Sequence, residues 1–226
     1  MVKVYPSPGG AVAGIPDGAS IMVGGFGGSG VPEALLAALA ETGAKRLTFI
    51  NNNAGLVEGG GIETLVRKRQ VRKVICTFPG QRKQGAVEEQ FLRGEVDIET
   101  LPQGTFIERI RAGGAGIGGF YTTVAVGTPL AEGKERRIID GREYVLELPL
   151  HADFALVRAH RADRFGNLAY RYAACNFNPT MAAAADVTIA EVAELVEPGE
   201  IPPDQVRTPG IYVDRLVVVG YSWDVH

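Results

Sequence analysis

Apolar and polar positions in this chain alternate between a strand-like and a helix-like period, and the changes fall at glycines and prolines. Residues 20–23 form a short β-rich run that leads directly into glycine. Residues 31–42 have helical spacing: Ala34, Leu35, Ala38 and Leu39 share a face, Pro32 suits the first turn and Gly43 can end the helix. Residues 47–50 are the next strand, with Asn51, Asn52 and Asn53 at its exit. Strand, helix and strand in that order make a βαβ unit, which implies parallel strands and a right-handed crossover. The pattern continues with a helix over 62–70, a strand over 73–78, a helix over 87–93 and a strand over 96–101. Thr105 and Glu108 have the spacing of a capping box for a helix running through Arg111.

The second half changes character. Two strands, 137–139 and 143–146, flank Asp140-Gly141, a strong hairpin signal. Strands are expected over 154–159 and 168–171, joined by a turn at Gly166-Asn167, then a short helix over 181–185 and strands over 187–190 and 211–219. Alternating β and α elements followed by hairpins predict an α/β domain with a mixed sheet. We expect one domain over 1–226, with a hairpin-containing region at about 120–150.

Composition narrows the class. With 46% hydrophobic and 22% charged residues, the chain is typical of a globular domain. A net charge of −3 offers no basic surface for nucleic acid or for an acidic membrane. No apolar stretch is long enough to span a bilayer, and no charged segment precedes an apolar run at the N-terminus, so a cytoplasmic location is expected. Cys76 and Cys175 form no CxxC pair and are expected to be reduced thiols. His151, His160 and His226 have no metal-ligand spacing, so no metal is expected.

Glycine is the anomaly, with 30 residues. They concentrate in 24–30, 55–61 and 113–119. Dense glycine permits a backbone to approach a ligand, and it also serves ordinary turns. Gly25, Gly27 and Gly30 spell a literal GxGxxG between a strand and a helix, the fingerprint of a dinucleotide site. Such a site wants an acidic residue about 20 positions on to hold ribose hydroxyls. Asn51–Asn53 stand there instead, so that reading keeps an anion site at the helix N-terminus and loses its ribose anchor. Glu33, in the same helix, is better explained by the helix dipole than by catalysis.

A second resemblance is far more specific. Asp17-Gly18, Ile21-Met22-Val23-Gly24-Gly25-Phe26, Gly30 and Pro32 follow the signature of α subunits of family I 3-oxoacid CoA-transferases without a departure. Asn52-Asn53-Ala54-Gly55, the stretch from Leu101-Pro102-Gln103-Gly104-Thr105 to Gly113-Gly114-Ala115-Gly116, Phe120-Tyr121-Thr122, Arg161 to Leu168, Asn176-Phe177-Asn178-Pro179 and Thr208-Pro209-Gly210 resemble further family blocks in the family's order. The likeness covers some 200 residues. It implies an open, mainly parallel sheet with helices on both faces. It also implies ping-pong transfer of CoA from a donor such as succinyl-CoA, through a glutamate of the partner β subunit, to a 3-oxoacid.

That glutamate lies in a Ser-Glu-Asn-Gly context, which this chain lacks. The resemblance therefore implies half an active site, a β-subunit partner in an α2β2 assembly, and coenzyme A thioester as substrate rather than a permanently bound cofactor. Asn52, Asn53 and Gln103 are the expected donors around the reacting carboxyl groups. Gly24, Gly25, Phe26, Gly27, Gly28, Ser29 and Gly30, together with Gly114, Ala115 and Gly116, are the expected CoA cradle. Local chemistry also allows the asparagines to be turn formers and Gln103 a helix cap. Arg109 and Arg111, near the third cluster, are expected either to touch CoA phosphates or to balance the helix dipole.

Two departures stand out. Gly118-Gly119 replace a usual Pro-Ala, and Phe78-Pro79-Gly80-Gln81-Arg82-Lys83 replaces a Gly-Glu-Asn segment. Members specific for 3-oxoadipate can carry a Phe-Pro-Arg segment there, and Arg82 and Lys83 would suit a second carboxylate. 3-Oxoadipate is accordingly the favoured acceptor, with acetoacetate or acetate next. A sugar-phosphate isomerase would need a catalytic carboxylate and phosphate-binding lysines within this chain. A non-catalytic acyl-CoA-binding protein would keep the cradle without a partner.

Overall fold

A computed structural model describes residues 2–54, 60–79 and 85–220. In chain order its elements are β1 (Lys3–Tyr5), α1 (Pro8–Val12), β2 (Ser20–Val23), α2 (Glu33–Thr42), β3 (Leu47–Asn51), α3 (Glu63–Arg67), β4 (Val71–Cys76), α4 (Ala86–Leu92), β5 (Asp97–Thr100) and α5 (Gln103–Gly114). They continue with β6 (Phe120–Thr122), β7 (Arg136–Ile139), β8 (Arg142–Glu147), β9 (Ala152–Asp163), β10 (Leu168–Ala169), α6 (Asn178–Ala182), β11 (Ala185–Val196) and β12 (Arg215–Val218).

The main sheet runs β1-β12-β11-β9-β2-β3-β4-β5, all parallel, with β10 added antiparallel beside β9. Alternation along each strand feeds two cores. Ile21, Val23, Phe49, Val74 and Leu156 point to the face covered by α1, α2, α3 and α4, where Leu35, Leu39, Leu65 and Val87 are buried. Met22, Ile50, Ile75, Ala155 and Leu216 point to the other face, covered by Phe106 and Ile110 of α5 and Met181 of α6. The expected mainly parallel α/β sheet with helices on both faces is thus observed.

The hairpin at Asp140-Gly141 is also as expected. Both residues have positive φ, 49° and 74°, and β7 pairs antiparallel with β8. Together with β6 these strands form a separate three-stranded sheet.

Several boundaries moved. The helix expected to start at a Thr105 cap begins three residues earlier, after Pro102, which has no side-chain cap bond. Thr105 is buried inside α5, and Glu108 bonds Arg111 instead of closing a capping box. The short helix expected over 181–185 is α6, three residues earlier. β9 and β11 each extend to 12 residues, because each pairs along its length with the other. The strand expected from 211 begins at Arg215, after a 3-10 turn at Gly210–Tyr212.

The functional geometry follows from strand order. From β2 the chain builds outward through β3, β4 and β5, and on the other side lie β9, β11 and β12. The order reverses between β2 and β9. Open α/β sheets bind ligands outside the carboxyl ends of their strands at such a point. Glycines 24–30 leave β2 there, and Asn51–Asn53 leave the adjacent β3.

Candidate functional site: an amide cluster facing a glycine turn

The loop after β2 contains two kinds of glycine. Gly24, Gly25 and Gly30 are buried and tightly packed. A Cβ on Gly24 would lie 1.8 Å from Asn178 Oδ1, on Gly25 2.5 Å from Val31 Cγ2, and on Gly30 2.8 Å from the Ala174 carbonyl. Gly27 and Gly28 are exposed, a Cβ on Gly27 would meet nothing within 4 Å, and both have positive φ, 56° and 91°. They are the corner of a two-residue turn closed by Phe26 and Ser29, whose backbones exchange two hydrogen bonds of 3.0 Å.

Asn178, fully buried, holds both ends of this loop. It fills the space a Cβ on Gly24 would take, and its Nδ2 donates to the carbonyls of Gly30 (3.0 Å) and Ala174 (2.9 Å). Its Oδ1 accepts from Arg158 N of β9 (2.9 Å). Asn176 adds a bond from Nδ2 to the Ser29 carbonyl (2.9 Å), and Phe26 stacks on Phe177 with ring centroids 6.3 Å apart. The Asn-Phe-Asn-Pro block, to which the sequence assigned no role, is what immobilises the glycine turn.

Asn52, Asn53 and Gln103 come together although 51 positions separate the last from the first. Gln103 Nε2 donates to Asn52 Oδ1 (2.8 Å), and Asn52 Nδ2 donates to Asn53 Oδ1 (2.8 Å). Gly27 N also donates to Asn53 Oδ1 (3.2 Å), joining the amide cluster to the glycine turn. Thr77, just past β4, donates its hydroxyl to Asn52 Oδ1 (2.9 Å). The early start of α5 makes this possible, since it places Gln103 at the strand exits.

A small cavity between turn and cluster is lined by Gly24, Gly25, Gly27, Gly28, Asn51 and Asn53, with Val31 and Ile62 as its apolar wall. Asn52 does not line it and is 2% exposed, so its amide serves its neighbours. Asn51, absent from the expected set, does line it. Its Nδ2 donates to the Asn53 carbonyl, while its buried Oδ1 has no hydrogen-bond partner among the described residues. Three consecutive asparagines were the available signal. Strand alternation, which turns Asn51 and Asn53 to one side and Asn52 to the other, would have separated them.

The anion site offered by the dinucleotide reading is blocked. Leu35 N, in the first turn of α2, donates to Glu191 Oε2 (2.9 Å), a carboxylate buried on β11. Glu33, at the same helix end, accepts Gly61 N on both oxygens (3.0 and 2.8 Å). A pyrophosphate would meet two carboxylates where it needs free N–H groups. The residues lining the cavity itself are uncharged.

Gly114, Ala115 and Gly116 are not part of this site. α5 starts at the carboxyl ends of the strands and, over 12 residues, runs about 18 Å back across the sheet. It ends beside Leu150 and Ala183, which precede β9 and β11. A Cβ on Gly113 would lie 2.0 Å from the Leu150 carbonyl, and one on Gly114 2.7 Å from that of Ala183. Close helix packing explains Gly113 and Gly114, while Gly116, with a φ of 68°, meets nothing within 4 Å. Arg109 is engaged by Glu99 and the Leu148 carbonyl, and Arg111 by Glu108. Gly55 to Gly59 and the Gly80–Lys83 segment lie outside the described residues.

Among the described residues no nucleophile faces the cavity, and none of those lining it carries a carboxylate. Glu63, buried nearby, accepts from Arg67 and Ala86 N. Burial pushes the Cys76 thiol up to about 12, and burial also raises that of Cys175, so neither is a ready thiolate at neutral pH. Among the described residues no group of His, Cys, Asp or Glu is placed to hold a metal ion, and no helix is long and apolar enough to cross a membrane.

The geometry is thus an open parallel sheet with a glycine turn and an amide cluster at its switch point. Similarity to known proteins specifies the class further. The coenzyme A transferase profile matches residues 6–219. The chain is 53% identical over 218 residues to the α-type subunit of 3-oxoadipate CoA-transferase from Pseudomonas putida, covering 96% of this chain and 94% of that one. It is 52% identical over 217 residues to the corresponding subunit of succinyl-CoA:3-ketoacid coenzyme A transferase from Xanthomonas campestris pv. campestris strain B100, covering 96% and 88%. An acyl-CoA transferase from E. coli O157:H7, solved as a thioester complex with CoA, shares the fold with a TM-score of 0.86 at 24% identity. All of this chain matches 48% of that one, about half its length. The chain belongs to the coenzyme A transferase family, among its α subunits, and is a CoA-transferase component.

Proposed function

We propose that this chain is the half of a heteromeric 3-oxoacid CoA-transferase that holds the reacting carbonyl, while a partner subunit supplies the nucleophilic glutamate. The observation that carries this reading is a cavity with oriented amides and no carboxylate among its described lining residues. In the first step the partner's carboxylate attacks the acyl-CoA thioester carbonyl. The C–S bond breaks, giving an acyl-glutamyl anhydride and CoA thiolate. The thiolate then attacks the glutamyl carbonyl, releasing the first acid and leaving a glutamyl-CoA thioester. The acceptor carboxylate repeats the two steps in reverse.

Each addition places negative charge on a carbonyl oxygen. Asn53 Nδ2, which makes no bond within the described residues, is the donor available to it. As a neutral amide it stabilises that oxyanion without pairing permanently with the attacking carboxylate. The uncharged glycine turn suits the neutral pantetheine arm beside the thioester, and the charged phosphates of CoA belong elsewhere in the assembly. Phe26 and Phe78, 49% and 55% exposed, flank Asn53 and form an apolar rim on which a partner chain can close. An α2β2 assembly would supply it.

3-Oxoadipate is the proposed acceptor on the Phe78-Pro79 segment. Identities of 53% and 52% to relatives named for different acids leave that segment as its support. The test is intact-mass spectrometry of the co-purified complex after mixing with succinyl-CoA. A CoA adduct is expected on the partner chain, discharged by 3-oxoadipate faster than by acetoacetate. An adduct on this chain, or turnover by this chain alone, would overturn the split site.

A further inference from the structure

The direction of the amide chain is not a free choice. Asparagine and glutamine side chains can be turned end for end, so their donor and acceptor ends must be assigned from their partners. Here one partner is unambiguous. Gly27 N is a backbone donor, so the Asn53 atom facing it at 3.2 Å must be oxygen. The Asn52 atom at 2.8 Å from that oxygen must then be nitrogen, which turns Asn52 Oδ1 toward Thr77 and Gln103. Thr77 finds only oxygens of Asn52 within reach, its side-chain Oδ1 at 2.9 Å and its carbonyl at 3.1 Å, so its hydroxyl donates. Gln103 must likewise present Nε2, at 2.8 Å. Every hydrogen bond points the same way, from Gln103 and Thr77 through Asn52 to Asn53. The end left over, Asn53 Nδ2, is a donor.

We infer that Thr77 and Gln103 are positioning residues that complete the relay whose direction Gly27 N sets, and that by supplying donors to Asn52 Oδ1 they hold Asn53 as a donor rather than an acceptor toward the reacting carbonyl. In this relay Gln103 acts through Asn52 and Asn53. The physical reason for such an arrangement is that an amide free to flip would offer its oxygen to a developing oxyanion part of the time. Two donors on Asn52 Oδ1 and two on Asn53 Oδ1 make the reversed state leave opposed donors or opposed acceptors around the buried Asn52 side chain, which is costly. Chains of amides aligned in one direction also polarise one another, strengthening the terminal donor. This inference rests on the proposed role of Asn53.

The test reverses the relay. The carboxylate of a Gln103→Glu variant can only accept, so keeping the contact requires Asn52 to turn its nitrogen to it. Asn53 then faces opposed demands from Asn52 Oδ1 and Gly27 N. In the reconstituted complex, kcat should fall about a hundredfold at pH 8, the scale of losing one preorganised oxyanion donor. It should recover relative to the parent as pH falls toward 5, because protonation of the carboxyl restores a donor; the carboxyl is acidic when free, with a pKa of about 4.3. Thr77→Val, which keeps shape and removes the hydroxyl, should lower kcat about tenfold with KM within about twofold, and Thr77→Ser should restore most of that loss, as expected for one neutral hydrogen bond.

A purely structural role for Gln103 and Thr77 would instead lower the melting temperature and give losses independent of pH. Asn53→Ala separates the levels. If it retains parental kcat, the role of Asn53 fails and the relay with it. If it loses activity while Gln103→Glu shows no recovery at low pH and Thr77→Val shows parental kcat, the relay fails alone.

Discussion

The glycines at 24–30 and those at 113–116 look interchangeable in sequence, and the fold uses them for different purposes at opposite ends of the sheet. In the first group, Gly24, Gly25 and Gly30 let the chain fold against Asn178, Val31 and Ala174, and this packing lifts Gly27 and Gly28 into a turn that faces Asn53. In the second, Gly113 and Gly114 let α5 lie against the carbonyls of Leu150 and Ala183. One group shapes a cavity and the other lets two elements touch. Glycine density marks close approach of backbone to something, and only the neighbour reveals whether that something is a ligand or the protein itself.

Substitutions can break or sharpen this contrast. Gly24→Ala should have the largest effect. Its Cβ would displace Asn178 Oδ1 from 1.8 Å, releasing three hydrogen bonds that pin the loop. We expect a kcat loss of about a hundredfold or more in the reconstituted complex together with roughly 3 kcal/mol of destabilisation. Near-normal kcat would show that the loop's shape is irrelevant to the chemistry.

Gly113→Ala should come next and should act on stability alone. A methyl 2.0 Å from the Leu150 carbonyl forces α5 away from the sheet. The expected cost is about 1–3 kcal/mol, or roughly 5–10 °C in melting temperature, with kcat per folded complex within about twofold of the parent. A large kcat loss at unchanged stability would return the second glycine group to the active site.

The smallest effect belongs to Gly118→Ala. That residue meets nothing within 4 Å and has no positive φ, so stability should change by less than about 0.5 kcal/mol and kcat by less than about twofold. This position also carries one of the two departures from the family pattern. A clear loss there would show that the extra glycine is used in the assembly rather than tolerated.

The βαβ repeats were legible because each element carries its own period, and the hairpin because Asp140-Gly141 suits the positive φ its turn requires. Asn52, Asn53 and Gln103 were named from family blocks, and the structure groups them. Their division of labour was not legible. Asn52 is turned inward by strand alternation, Asn53 faces the cavity, and Asn51 lines it with an oxygen that has no partner among the described residues. The helix start at Gln103 was missed because Thr105 and Glu108 satisfy the local capping rule, while burial of Thr105 in the core overrides it.

The sequence by itself determined the class of fold, the alternation of strands and helices from β2 to α5, the hairpin at Asp140-Gly141 and the family. Those depend on hydrophobic periods and on blocks of residues that are local in the chain. Only the tertiary structure decided that α5 carries Gly114 to the far edge of the sheet. It also decided that Glu191 closes the helix end a phosphate would have needed, and that Gly27 N sets the direction of every amide from Asn53 back to Gln103. Each depends on a contact between residues at least 26 positions apart, and a contact at that separation has no periodic trace in the chain.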